Sequence, residues 1–393
     1  MPYKPAFNWM ILAFLVRLVA FLAIHLYSLE AGFKGFYPLA SGGDDTTYWT
    51  LANDIFNGYI SLSTPSSYPF ILAALFSITG QNLLYGKFLS VLADSFTVYI
   101  GVYVARELSN SNKLTQFYRN YSAHLTGLLL TFYPSAIWHS TQLLRDSLIV
   151  LFGLLNLYLS ILILKKGKKK LWIYWSITLL LVYSLRPYAA VSLIMSLFAY
   201  LMLIWNAKIK RKLSIMLLLL IPCALIPYVL GQGLFGLERI LPMLSVDEIS
   251  SLRKDAYSIG GSSTGISINY SNPITFMITY FPSYITAILG PFPWQVNAPV
   301  QLMALPEAIV MWILCFILWK NRHTKVITSE GKEENLLLVF SLILIGILSL
   351  FSDNIGANTR LRLLPWVSFF IYISIQLAKK RMLRRKLTYD VDS

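Results

Sequence analysis

The stretch LLRDSLIVLFGLLNLYLSILIL, residues 143–164, is followed directly by KKGKKK at residues 165–170. After Arg145 and Asp146 near its start, the stretch contains no charged residue. A helix needs about 20 apolar residues to cross the roughly 30 Å of hydrocarbon in a bilayer. A lysine cluster directly after such a run is typical of the cytoplasmic end of a span. The segment therefore predicts a transmembrane helix with a defined direction.

The rest of the chain repeats this pattern. Hydrophobic residues make up 56% of the 393 positions and charged residues only 13%, whereas soluble domains carry about 25% charged residues. We therefore expect an all-α polytopic membrane protein that forms one integral membrane domain over residues 1–393. About ten transmembrane helices fit the apolar runs, at residues 9–29, 83–105, 121–138, 143–164, 171–185, 187–206, 213–230, 300–319, 335–351 and 363–378.

The basic clusters predict the orientation of these helices. KKGKKK, KIKRK at 208–212 and AKKRMLRRK at 378–386 all fall on one side when the N-terminus is placed in the cytoplasm. Cytoplasmic loops carry an excess of Lys and Arg, so we expect a multi-pass protein of the cell membrane with both termini cytoplasmic. The same clusters are suited to contact anionic membrane lipid.

Two large segments then lie on the extracytoplasmic side, at residues 30–82 and 231–299. Each contains an apolar stretch that we do not count as a span. Residues 68–79 are too few to cross the hydrocarbon, and residues 272–290 are interrupted by Pro282. We expect juxtamembrane or re-entrant helices there. The cytoplasmic loops are short and contain no Walker or Rossmann glycine pattern, so any chemistry is expected outside.

Several classes of partner and cofactor are not expected. The net charge of +15 comes in the clusters that set topology, so no nucleic acid is predicted as a partner. Cys223 and Cys315 both lie in apolar runs and supply no disulfide framework. The four histidines show no paired metal-ligand spacing. We predict no cofactor, and a divalent metal is not indicated.

The first outer segment contains two adjacent carboxylates, Asp44 and Asp45, in SGGDDTTYWTLANDIFNG at residues 41–58. A short helix is expected to begin here. Acidic residues are favourable at a helix N-terminus, so capping alone is one interpretation. The other is catalytic, with one carboxylate as a general base and Tyr48 in contact with substrate.

Cationic residues stand at the outer ends of several predicted spans. Ionisable groups close to hydrocarbon are costly and usually serve a partner. Arginines in particular grip phosphate through bidentate hydrogen bonds. Arg145 precedes Asp146 directly, so a structural ion pair between the two is an alternative. The candidate phosphate ligands are Lys87, Arg145, Arg186, Arg360 and Arg362.

The order of these motifs resembles that of the GT-C glycosyltransferases, membrane enzymes that take sugars from polyprenyl-phosphate carriers. It is most similar to the protein O-mannosyltransferase and aminoarabinose-transferase branch, family 39. There, an outer loop with an Asp-Glu pair precedes a Pro-containing interfacial helix and a span that begins with a basic residue and ends in Ala-Arg. The corresponding features here are Asp44–Asp45 with Tyr48, SSYPFILAALFSITG at 66–80, Lys87 and VARELSN at 104–110.

The resemblance covers about the first 110 residues and implies a GT-C-like fold. It also implies an inverting transfer from a polyprenyl-phosphate-linked sugar donor to an extracytoplasmic acceptor (a glycan, lipid or protein), with Asp44 as the base. Asp45 stands where the branch has Glu, which leaves either aspartate as the base, and Lys87 stands where arginine is common. The C-terminal PFPWQ at 291–295 and DNIGANTRLR at 353–362 are similar to exopolysaccharide-associated members.

Two other functions fit the same sequence. A polysaccharide polymerase or ligase that uses pyrophosphate-linked oligosaccharides would need similar arginines, and its large central outer loop, with Arg253, would be essential. A flippase or transporter of lipid-linked sugars would instead need ionisable groups along a path through the membrane.

Overall fold

The structure, a computed structural model, describes residues 3–36, 43–59, 64, 66–111, 114–203, 250, 253, 264–296, 299–320 and 332–391. The longer regular elements in these ranges are all α-helices, joined by turns and by short 3-10 segments at Pro293–Gln295 and Pro299–Ala304. The helices are α1 Lys4–Glu30, α2 Asp44–Phe56, α3 Tyr68–Thr79, α4 Leu83–Ser111, α5 Gln116–Thr131, α6 Pro134–Ser140, α7 Asp146–Lys166, α8 Lys170–Leu185, α9 Pro187–Leu203, α10 Pro273–Leu289, α11 Leu305–Lys320, α12 Asn335–Phe351, α13 Ile355–Leu361 and α14 Leu363–Val391.

Three of the described helices, α1, α4 and α7, are long and apolar enough to cross a membrane. A fourth candidate arises if α13 and α14, which meet at a bend of 56°, count as one broken span. Four of the predicted spans, including the one at 143–164, therefore correspond to elements that can cross a bilayer. The all-helical fold class is confirmed.

The expectation of about ten spans is wrong for the described residues. Five of the other predicted spans correspond to α5, α8, α9, α11 and α12, which have 16 or 17 described residues each. α9 and α11 reach the ends of described ranges, at Leu203 and Lys320. A helix of 16 residues is about 24 Å long, shorter than the roughly 30 Å of hydrocarbon. The predicted spans at 171–185 and 335–351 agree with α8 and α12 and were already this short, whereas the one at 121–138 continued past the end of α5 into α6. The predicted span at 213–230 lies outside the described residues.

The juxtamembrane helices form close to the predicted positions. α2 begins at Asp44, after an extended Gly43, and α3 covers Tyr68–Thr79. The two pack through aromatic rings, with the centroids of Trp49 and Phe76 5.2 Å apart. α10 occupies most of the second predicted stretch, and Pro282 lies inside it without ending it. In the predicted outer segment 231–299, the structure describes Ser250, Arg253, residues 264–296 and Pro299.

The bundle is organised around α4 and α14. α4 packs against α1, α5 and α7, and α14 packs against α4, α5, α7 and α12. Buried ion pairs link distant helices: Arg17 of α1 pairs with Asp94 of α4 and also donates hydrogen bonds to the carbonyls of Leu130 and Thr131 at the end of α5. α7, α8 and α9 pack in series beside α4 and α12, which brings the α8–α9 junction close to the start of α7.

Candidate anion site at the start of helix α7

Asp44 and Asp45 occupy the first turn of α2 but point into different surroundings. The Asp44 side chain is 46% exposed and lies against Arg360. Asp45 is buried, accepts a hydrogen bond from the Thr46 amide at 2.9 Å and interacts electrostatically with Lys87. Successive residues on a helix are about 100° apart, so adjacent carboxylates diverge. The sequence pair is therefore two separate sites in space.

Arg360 joins Asp44 to a second carboxylate, that of Asp146. Nη1 of Arg360 donates to Oδ2 of Asp44 at 2.6 Å. Nε of the same guanidinium lies 3.5 Å from Oδ2 of Asp146, which is only 2% exposed. Arg360 lies in α13, whose first turn is capped by the Asn354 side chain accepting from the Ala357 amide. One guanidinium thus bridges an exposed and a buried carboxylate.

Arg186 completes the cluster from the α8–α9 junction. Its Nη2 lies 2.8 Å from Oδ1 of Asp146. Arg186 precedes Pro187, and the residue before a proline is driven out of the helical region. Its backbone is accordingly extended, with φ −157° and ψ 94°, which ends α8 and directs the buried side chain toward α7. Asp146, at the N-terminus of α7, is also favoured there by the helix dipole.

A cavity adjoins this cluster. It is small and open to solvent, and Arg186, Arg360 and Asp146 form its charged side. Tyr188 contributes an aromatic ring, and the other lining residues are apolar side chains of α7, α9, α12, α13 and α14, namely Ile149, Val150, Ala189, Leu344, Leu361, Leu363 and Leu364. The cavity therefore has a cationic end that continues into an apolar wall.

Two buried N–H groups at this cavity make no hydrogen bond of normal geometry with any described residue. Beside them lies the carboxylate of Asp146, whose Oδ2 is 3.5 Å from Nε of Arg360 and whose two oxygens likewise accept no hydrogen bond from the described residues. Within the part of the chain that the structure describes, no atom accepts a hydrogen bond from Nε of Arg186 or from Nε of Arg360. Buried polar groups are normally hydrogen-bonded. Both groups are donors on cations, so an anion with acceptor oxygens, such as a phosphate, is chemically suited to them.

Arg145 and Tyr48 lie at the edge of the cluster. Nη1 of Arg145 donates to the Leu185 carbonyl at 2.8 Å, and its guanidinium carbon is 5.8 Å from the centroid of the Tyr48 ring. Tyr48 itself packs edge-on against Tyr68. Burial raises the pKa of Tyr48, so its hydroxyl stays protonated. The partners of Asp146 at ion-pair distance are Arg186 and Arg360 rather than its neighbour Arg145.

Lys87 and Arg362 are placed away from the cavity. Lys87 is buried, donates to the Gly35 carbonyl and faces Asp45. Arg362 donates to the Gly290 carbonyl, pairs with the buried Glu307 and lies 4.1 Å from the centroid of the Trp366 ring. Arg360 and Arg362 are two residues apart, which places them on roughly opposite sides of a helix. The structure therefore brings Asp44, Arg186 and Arg360 together, with Arg145 and Tyr48 adjacent.

His139 belongs to the surroundings of the cluster but was not predicted from the sequence. It is buried in α6, with Nε2 3.4 Å from Oγ1 of Thr359, the residue before Arg360. Burial lowers the pKa of His139 to about 3, against the opposing attraction of Asp146. The imidazole is therefore neutral at physiological pH. In the sequence, the polar run WHSTQ at residues 138–142 is the feature that could have indicated a buried polar residue here.

In the described ranges, no group of three or more His, Cys, Asp or Glu side chains could hold a metal ion. The chemistry available at the cluster is anion binding by guanidinium groups beside an exposed carboxylate. Comparison of the chain with known protein families, with curated proteins and with solved structures finds no match.

Proposed function

We propose that the chain is a membrane glycosyltransferase that transfers a sugar from a polyprenyl-phosphate donor to an acceptor hydroxyl with inversion at the anomeric carbon. One observation carries the proposal: the two unsatisfied guanidinium N–H groups of Arg186 and Arg360 lie at a cavity whose lining, apart from Asp146 and Tyr188, is apolar, with the Asp44 carboxylate beside them. This combination suits a ligand with an anionic head and a hydrocarbon tail, next to a base.

The donor's phosphodiester fits the charged end of the cavity. Arg186 and Arg360 supply the hydrogen-bond donors, and Asp146 holds both guanidinium groups in place. The first isoprene units would lie along the apolar wall formed by residues such as Val150 and Leu364. The remainder of the tail would continue between helices into lipid. Because the cavity is small, it would contact only the phosphodiester and the first isoprene units of the donor.

In the transfer step, a carboxylate oxygen of Asp44 takes the proton of the acceptor hydroxyl. The hydroxyl oxygen bonds to the anomeric carbon from the face opposite the phosphate, and the bond between that carbon and the phosphate oxygen breaks. The leaving group keeps the electron pair, so one negative charge on the phosphodiester becomes two on polyprenyl phosphate. Arg186 and Arg360 stabilise this developing charge, which is where electrostatic catalysis is most effective.

The proposed location is the extracytoplasmic face of the cell membrane, with both termini cytoplasmic. The distribution of basic clusters supports it, since KKGKKK follows the C-terminal end of α7 and the cluster lies at the N-terminal end of the same helix. α7 is long enough to span the membrane between the two. This orientation also requires α5 and α6 together to return the chain across the membrane between the end of α4 and the start of α7. The acceptor and the membrane lipid around the tail are then the partners.

The polymerase or ligase alternative gains less support from the structure. It gave Arg253 a catalytic role, but Arg253 donates to the backbone carbonyls of Ser349 at 2.7 Å and Ile266 at 2.8 Å and to the Ser283 hydroxyl. Those contacts tie α10 to α12. The side chain is thus engaged as an anchor between helices.

The proposal is tested with the purified full-length chain in lipid nanodiscs supplied with a panel of polyprenyl-phosphate sugars. The readout is the release of polyprenyl phosphate, and added cell-envelope extract supplies the acceptor without its having to be identified. Asp44→Asn should reduce the rate by about 100-fold or more. The matched control is Asp54→Asn, which changes an exposed acid of the same helix and should leave the rate unchanged. Full activity of Asp44→Asn excludes Asp44 as the base.

A further inference from the structure

Arg360 has two carboxylate partners of unequal burial. Asp44 is 46% exposed at its side chain, whereas Asp146 is 2% exposed. An exposed ion pair contributes little to stability because water solvates both groups when they separate. A buried carboxylate that loses its cation stays desolvated, which is strongly unfavourable. If one of the two contacts with Arg360 breaks, the contact with Asp44 is therefore the one that breaks.

The charges on the cavity wall identify what could break it. Arg186, Arg360 and Asp146 line the cavity and carry a net charge of +1. Asp44, which contacts Arg360 from outside the lining, brings the group to zero. Arg145, which is also off the wall and donates to the Leu185 carbonyl, acts electrostatically on Asp146, and counting it gives the whole group a charge of +1. A phosphodiester that bonds to Arg360 would lie close to the Asp44 carboxylate on the same guanidinium, and like charges at that distance repel each other.

We propose, on the basis of the function proposed above, that the donor phosphate and Asp44 compete for Arg360, so that donor binding releases Asp44 to act as the base. Asp146 is the positioning residue of this exchange, because it holds Arg360 at the cavity whichever anion occupies the other edge of the guanidinium. The released Asp44 swings toward water, where the acceptor hydroxyl arrives.

The exchange predicts an order of events. Before the donor binds, the Asp44 carboxylate is engaged with Arg360 and is not placed against the acceptor hydroxyl. After the donor binds, the carboxylate is free and the acceptor can be deprotonated, so the donor binds first. After transfer, polyprenyl phosphate carries one more negative charge than the donor and holds Arg360 more strongly. Asp44 passes the proton that it took from the acceptor to water, and its return to Arg360 as a carboxylate then promotes release of that product.

The test measures the affinity of farnesyl phosphate for the full-length chain in detergent micelles, by isothermal titration calorimetry. Removing the competing carboxylate with Asp44→Asn should tighten binding about three- to fivefold, the range of one partly exposed ion pair. Asp44→Glu keeps the competing charge and should bind like the wild type. Asp45→Asn removes the neighbouring carboxylate, which faces Lys87 rather than Arg360, and should also leave the affinity unchanged.

The outcomes separate the exchange from the proposed function. Unchanged or weaker binding by Asp44→Asn, with saturable wild-type binding that Arg186→Gln abolishes, overturns the exchange and leaves the donor site intact. Tightening by Asp45→Asn to the same degree also overturns it, because the effect would then follow net charge alone. No saturable binding by the wild-type chain overturns both the donor site and the exchange.

Discussion

Nη1 of Arg360 lies 2.6 Å from Oδ2 of Asp44, although 316 residues separate the two in the chain. The contact joins the first outer segment to the short helix α13 before the last long helix. It places the leading candidate base beside a cation that also reaches the buried Asp146. The proposed site is therefore assembled from both ends of the sequence.

Replacement of Arg360 by Lys should reduce transfer by about 100-fold, in the range found when one transition-state hydrogen-bond donor is lost. Lys keeps the charge, but its single ammonium cannot bridge two carboxylates and a phosphate as a guanidinium can. Steady-state rates in nanodiscs measure the effect. Arg119→Lys, which changes an arginine that contacts Asn110 outside the cluster, serves as control. A rate for Arg360→Lys equal to that of the control would contradict the role.

Glu307→Gln should lower stability rather than catalysis. Glu307 pairs with Arg362 and accepts the Ser135 amide at 3.1 Å, so its loss leaves a buried guanidinium without its counter-charge. Removing one partner of a buried pair costs about 3–5 kcal/mol. Thermal unfolding in detergent should show a lower midpoint, while the activity of the folded fraction at low temperature stays close to that of the wild type. An unchanged midpoint would show that the pair is dispensable.

His139 should make stability depend on pH below neutrality. Its pKa is about 3 in the folded chain and about 6.5 when unfolded. Between these values the unfolded state binds more protons, so the contribution of His139 is fully present above pH 6.5 and is lost as pH falls toward 3. The loss is at most about 1.4 kcal/mol per pH unit.

His139→Asn removes this proton uptake, so its unfolding midpoint should fall less between pH 7 and pH 5 than that of the wild type. All other titrating groups are shared by the two chains, which makes the difference between the two shifts specific for His139. Equal shifts would show that His139 does not hold its low pKa.

Ala189→Leu should raise the KM for a long-chain donor more than it lowers kcat. Ala189 is buried on the apolar wall of the cavity, one turn from Arg186, and a larger side chain there competes with the first isoprene units for space. The KM of the variant is measured with a short-tailed donor and with a full-length donor. A rise for both donors indicates that the wall contacts the head region, and a rise for the full-length donor alone indicates contact with the distal tail. An unchanged KM for both donors would place the lipid elsewhere.

Part of this arrangement was predictable from sequence. Acidic residues after Gly43 predicted the start of α2, and hydropathy identified α1, α4 and α7. Hydropathy separated α8 from α9 at Pro187, but it did not detect that the Tyr133–Pro134 step separates α5 from α6, and it counted short apolar runs such as 171–185 as complete spans. The candidate arginines were identified by type, but whether Arg360 or Arg362 meets the cavity depends on the rotation of α13 and on Glu307, which is distant in sequence.

Pro187 has no side-chain chemistry to contribute, yet it determines where a guanidinium lies. The Arg-Pro step acts as one unit: the imino acid forces Arg186 out of the helix, and the extended residue presents its side chain to Asp146. A relative of this chain that kept the arginine but lost the proline would continue α8 and rotate the cation away from the cavity. The Arg186–Pro187 pair, with Asp146 and Arg360, is therefore a more discriminating signature for such relatives than the adjacent aspartates.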